Sequence, residues 1–192
     1  MKLMTILFLL AGLGYCSHSR SDNVITVDQV GSNNSTTIQQ DGYNHTATIT
    51  TGKLSDVDYT TLSILQQGSG AKTANIEINS GINNSASIQQ DGTGNHTANI
   101  LNLNGSGNNI SVGQSGSGNH TMNIVGAPNT NNSGNTIDAT QSGSGNKSFD
   151  LTLSGTLGAG VTVQQTNPTQ SNSGSMNIQC TAGCGGYSYI RN

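Results

Sequence analysis

A Gln followed two residues later by Gly returns along the chain at near-constant intervals, and this periodicity limits the fold more than any other feature. Gln66, Gln90, Gln114 and Gln141 precede Gly68, Gly92, Gly116 and Gly143, at spacings of 24, 24 and 27 residues. Gln165 follows after another 24 residues, without its Gly. Upstream, Gln29-Val30-Gly31 and Gln40-Asp41-Gly42 lie 11 residues apart, about half a repeat. A period of this size is the mark of a protein built by stacking one small unit.

Within each unit, apolar residues fall at every second position. The run before each Gln reads Leu62/Ile64, Ala86/Ile88, Ile110/Val112, Ile137/Ala139 and Val161/Val163. After the Gly the alternation resumes, as Ala74/Ile76/Ile78, Ala98/Ile100, Met122/Ile124 and Phe149/Leu151/Leu153. Period two predicts strands with one polar face. The Gly-rich segments between them, with Asn95, Asn119 and Asn146 closing three, predict tight corners where positive φ is cheap. Extra residues at 54–60 and 126–135 predict loops that interrupt the stack. No segment after the first 14 residues has helical periodicity.

Composition narrows the function. Hydrophobic residues reach only 31 % and charged residues 8 % of the 192, while 26 Gly and 25 Asn make up over a quarter. A single-core enzyme of this length would carry more apolar residues. A disordered chain would carry more charge and fewer β-branched residues. Six Lys and Arg against nine Asp and Glu give a net charge of −3 and no basic surplus for nucleic acid. Neither a Ser/His/Asp set nor a carboxylate pair stands out, so no enzyme activity and no cofactor are expected.

Met1-Lys2 followed by Leu3–Gly14 reads as a secretory signal, assigned here to 1–19, with small residues allowing cleavage after Gly14, Cys16 or Ser19. Cys16 could alternatively be the acylated Cys of a lipoprotein. No second apolar stretch follows, so no membrane span is expected. Near the C-terminus, Cys180 and Cys184 are candidates for a local disulfide in an oxidising compartment, or for free thiols; a metal site would need two more ligands than the tail supplies.

Thin strand–turn–strand units bury their apolar face only by lying on one another at the ~4.8 Å β spacing. The expectation is an all-β solenoid, or cross-β stack, over 20–178, with 179–192 as a separate tail. Identical residues then form columns. Gln29, Gln40, Gln66, Gln90, Gln114, Gln141 and Gln165 would make a ladder of side-chain amides. His45, Lys72, His96, His120 and Lys147 share the place after each corner and are expected as a solvated surface row.

These residues resemble the curlin repeat of bacterial curli, the extracellular functional amyloid, whose pattern is Gln-x-Gly-x-x-Asn-x-Ala-x-x-x-Gln. Gln29, Gly31, Asn34 and Gln40 fit it, with Thr36 in the Ala place. Gln90/Gly92/Asn95, Gln114/Gly116/Asn119 and Gln141/Gly143/Asn146 match its first half; Gln66/Gly68 does so with Ala71 in place of Asn. The resemblance implies a secreted structural subunit that self-assembles into fibres supporting biofilm matrix and cell adhesion. It further implies a second curlin-like subunit and an outer-membrane secretion channel as partners. The alternative in the residues themselves is a monomeric solenoid adhesin or surface-binding module.

Overall fold

A computed structural model describes residues 22–192; the expected signal segment and Cys16 lie outside them. The described chain winds as a parallel β-solenoid of seven coils, two strands to the coil, with no helix among the described residues. One sheet contains β1 (Val24–Gln29), β3 (His45–Thr51), β6 (Lys72–Ile82), β8 (His96–Asn104), β10 (His120–Gly126), β12 (Lys147–Ser154) and β14 (Asn172–Gln179). The facing sheet contains β2 (Ser35–Gly42), β5 (Thr61–Gly68), β7 (Ser85–Asp91), β9 (Asn109–Ser115), β11 (Thr136–Ser142), β13 (Gly160–Gln165) and β15 (Gly186–Arg191). A two-residue strand, β4 (Val57–Asp58), pairs with the end of β6 inside the first of the two inserted loops.

Both sheets keep the order of the chain, because each coil returns to a point one strand spacing above its start. Register follows the repeat: Ala47, Ala74, Ala98, Met122 and Phe149 lie over one another, as do Ile64, Ile88, Val112, Ala139 and Val163. These columns are buried and form one continuous core. A one-residue slip would turn every apolar side chain outward, so alternation and register enforce each other. The extra residue in β8 is absorbed by a shift that leaves Leu101 half-buried and returns Leu103 to the core beside Ile78.

The solenoid does not stop at residue 178. β15, with Tyr187 and Tyr189 facing inward, pairs with β13 and completes the seventh coil, so the expected separate tail is part of the stack. Its two halves lack the Gln-Gly signature but keep the alternation Gly174/Met176/Ile178 and Tyr187/Tyr189/Arg191. Cys180 and Cys184 form a disulfide across the arc between β14 and β15, their Cα atoms 5.6 Å apart.

Candidate functional site

The inner face of the second sheet ends each strand with the Gln of the repeat. Gln40, Gln66, Gln90, Gln114, Gln141 and Gln165 stand in one column. Each Nε2 donates to the Oε1 of the Gln in the next coil, at 2.7, 2.9, 2.9, 2.8 and 2.7 Å from Gln40 to Gln141. The remaining Nε2 hydrogen crosses the core. Gln66, Gln90, Gln114, Gln141 and Gln165 donate it to the carbonyls of Thr46, Thr73, Thr97, Thr121 and Ser148 at 2.9–3.2 Å. The column therefore joins coil to coil and sheet to sheet, which satisfies amides that would be costly to bury alone.

Gln29 does not stand in this column. It ends β1 in the other sheet, opposite Thr51, and its amide bonds the hydroxyl of Thr36 within the same coil. Gly31 and Asn34 likewise belong to the opposite arc from Gly68, Gly92, Gly116 and Gly143. The pattern Gln-x-Gly-x-x-Asn is a strand–corner–strand unit, and at 29–40 it covers the first corner of a coil, whereas from Gln66 onward it covers the second.

At that second corner the backbone packs too closely for any side chain. Gly116 has φ +108°, and a Cβ there would lie 2.4 Å from the carbonyl oxygen of Gly143. Just beyond, Asn95, Asn119 and Asn146 each accept a hydrogen bond on Oδ1 from a main-chain N–H one coil earlier (Ala71, Asn95 and Asn119), at 2.9 Å.

The first corner holds a second amide column, which repeat spacing alone did not reveal. Asn84, Asn108 and Asn135 are buried; Asn108 Nδ2 donates to Asn84 Oδ1 and Asn135 Nδ2 to Asn108 Oδ1, both at 3.0 Å. Asn34 occupies the related place in the first coil, its Oδ1 accepting from the N–H of Thr60 at 3.0 Å. These donors point toward the N-terminal end, opposite to the Gln column. A third row, Asn75–Asn99–Asn123–Asp150, runs along the outer face at 2.7–2.8 Å.

His45, Lys72, His96, His120 and Lys147 are not a solvated row. They are buried in a column in phase with the inward Ala and Ile of the same strands. The corner makes room for their polar ends, because main-chain carbonyls of two successive arcs converge there. Lys72 Nζ donates to the carbonyls of Gly70, Gly92 and Gly94, each at 2.9 Å, and Lys147 Nζ to those of Gly145 and Gln170. The imidazoles donate through Nε2 to the carbonyls of Asp41, Asp91 and Ser115, leaving each Nδ1 buried without a partner. Burial pushes all three imidazoles below their ordinary range, His96 to about 4, and pushes both lysines down as well.

The arrangement is one of stacked columns, not of a cleft with converging chemical groups. Residues 21–52 match the family model of the Curlin associated repeat. Residues 21–52 carry a curlin repeat. That match covers β1, its corner, β2, the following corner and β3, which is one coil and the first strand of the next. The strand–corner–strand geometry of this curlin unit then recurs to the C-terminal coil. No curated protein and no solved structure matches the chain. A β-solenoid with a curlin repeat at residues 21–52 is consistent with a curli fibre subunit.

The two ends of the solenoid differ. At the N-terminal end Ile25, Val27, Ile38 and Gln40 continue the inner columns, with Val24 and Ile25 exposed, and Gln40 Oε1 is buried without a donor. At the C-terminal end Gly174 replaces the inward side chain of its column, and the ring of Tyr189 fills the space, 4.7 Å from that of Phe149. The Tyr189 hydroxyl donates to the carbonyl of Ser173 at 2.9 Å, as a Gln amide does in the coils below. Arg191 takes the place of the Gln itself, opposite Gln165.

Proposed function

We propose that this chain is a secreted structural subunit that polymerises end to end into extracellular, curli-like amyloid fibres, which support biofilm matrix and cell adhesion. The observation that carries the reading is that, among the described residues, no strand pairs with the outer side of either terminal coil, the two share one register of columns, and Gln40 Oε1 lacks its donor. Long unprotected strand edges are templates for another chain. Here the edge residues are those of the interior, so an added coil would find core beneath it. Stacked side-chain amides are also the device that stabilises cross-β fibres. A second curlin-like subunit and an outer-membrane channel fit this reading as partners.

The test is a negative-stain electron microscopy time course on the secreted, purified chain, starting from monomer without denaturant. Unbranched fibres appearing after a lag, and sooner with preformed seeds, are the expected outcome. A particle that stays monomeric for days would overturn the reading. It would point instead to a solenoid adhesin presenting the outward row Thr46, Thr73, Thr97 and Thr121.

A further inference from the structure

The Gln column has a direction. From Gln40 to Gln141 each Nε2 donates to the Gln of the next coil toward the C-terminal end, so the amide dipoles add head to tail, leaving an acceptor, Gln40 Oε1, at the N-terminal end and a donor, Gln165 Nε2, at the other. Aligned amides carry partial positive charge at their donor end and negative charge at their acceptor end. Arg191 occupies the next position of the column, yet it has only donors and faces the positive end. It forms no hydrogen bond to Gln165; its side chain is exposed and its guanidinium lies 5.7 Å from the centre of the Tyr189 ring.

Charge is distributed to match. Residues 22–44 contain Asp22, Asp28 and Asp41 and no Lys or Arg, whereas from Asn172 to Asn192 the single charged side chain is Arg191. The acidic, acceptor-bearing end and the basic, donor-bearing end belong to the same molecule and to the same register.

Building on the fibre reading, we propose that the joint between successive copies is formed by Arg191 of one copy entering the Gln column of the next. There the guanidinium donates to Gln40 Oε1, the acceptor left without a donor in the single chain. A donor that its own column repels becomes the missing donor of the neighbour's column, and a charged donor makes the stronger bond. The joint then differs chemically from every junction inside the chain, where Gln meets Gln.

Seeded elongation, followed by thioflavin fluorescence on sonicated wild-type seeds, tests this. Arg191→Glu sets a carboxylate against Gln40 Oε1, acceptor against acceptor, and is expected to slow elongation roughly tenfold or more. Gln40→Lys placed in the same chain as Arg191→Glu restores a donor–acceptor pair and is expected to recover most of that loss. Arg191→Gln keeps a donor but not the charge. The ratio of wild-type to Arg191→Gln elongation rates is therefore expected to fall as salt rises from about 20 to about 500 mM, because screening removes only the charge contribution. Because Arg191 is exposed, the melting temperature of the Arg191→Glu monomer should match the wild type; a variant that fails to fold leaves the salt series on Arg191→Gln to decide. Fibres whose elongation is indifferent to Arg191→Glu, or a rate ratio flat in salt, would overturn the joint while leaving the fibre reading intact. Wild-type chain that never elongates would overturn the fibre reading itself.

Discussion

The imidazole of His96 lies parallel to that of His120, ring centres 4.9 Å apart and planes 8° from coincidence, in a column that also buries Lys72 and Lys147. Two stacked rings with unpartnered Nδ1 atoms stay together only while both are neutral. Protonating either would place a cation beside its neighbour and beside a lysine.

The fold should therefore lose stability in mild acid. The folded-state pKa of each buried imidazole lies below the ordinary 6.5, so the unfolded chain binds more protons as pH falls. The contribution of the imidazoles is fully present above about pH 6.5. It declines below that value, down to about pH 4 for His96. Thermal melts of the monomer between pH 8 and pH 4 are expected to show this fall. Replacing His45, His96 and His120 together by Asn, the residue at this place in the last coil (Asn172), should flatten it.

Removing one amide from the middle of the Gln column should cost more than removing one methylene column contact. Gln90→Ala leaves Gln66 Nε2 without its acceptor in the next coil, and Gln114 Oε1 and the carbonyl of Thr73 without their donors. With buried unsatisfied groups costing about 1–3 kcal/mol each, a loss of at least ~2 kcal/mol is expected in urea unfolding. Fibre growth, where it occurs, should slow.

The two Asn rows should respond differently. Asn108→Ala breaks a buried row, whose side chain bonds Asn84, Asn135 and the carbonyl of Asn132, and is expected to cost about 2 kcal/mol. Asn99→Ala, in the outer row, should cost under ~1 kcal/mol because water replaces the lost bonds. Equal effects in parallel denaturation curves would contradict the assignment of inner and outer faces.

The corner glycines can be compared in the same way. Gly116→Ala combines positive φ with a clash against the Gly143 carbonyl, whereas Gly158→Ala has positive φ (+74°) and nothing within 4 Å of the added Cβ. The second should cost about 1 kcal/mol from strain alone, and the first clearly more, read as the difference between the two melting temperatures.

Much of this architecture was legible in the chain. Alternation around Leu62/Ile64 and Ala74/Ile76, and the recurrence of Gln-x-Gly, led directly to two strands per coil and to a column containing Gln66 through Gln165. Gln29 was misplaced because the same short motif serves both corners, and spacing by half a repeat does not say which sheet a residue joins. The buried basic column was missed for a different reason: His and Lys are ordinarily surface residues. The signal was present in the phase, since His96 is two residues before Ala98 and four before Ile100, on the inward face. What makes that burial tolerable, carbonyls converging from two successive arcs, exists only once the coils are stacked. The seventh coil was hidden because Arg191 and Tyr189 replace the motif that marks the others.

The hydrogen bonds of a parallel solenoid run along its long axis, so a pull on the ends of a fibre would load every junction in series. Inside one chain each junction is crossed by covalent backbone; between chains nothing covalent crosses. A fibre built from this subunit should therefore snap under tension at its joints. Its fragments would be whole multiples of a seven-coil unit, a ruler of about 34 Å set by seven strand spacings.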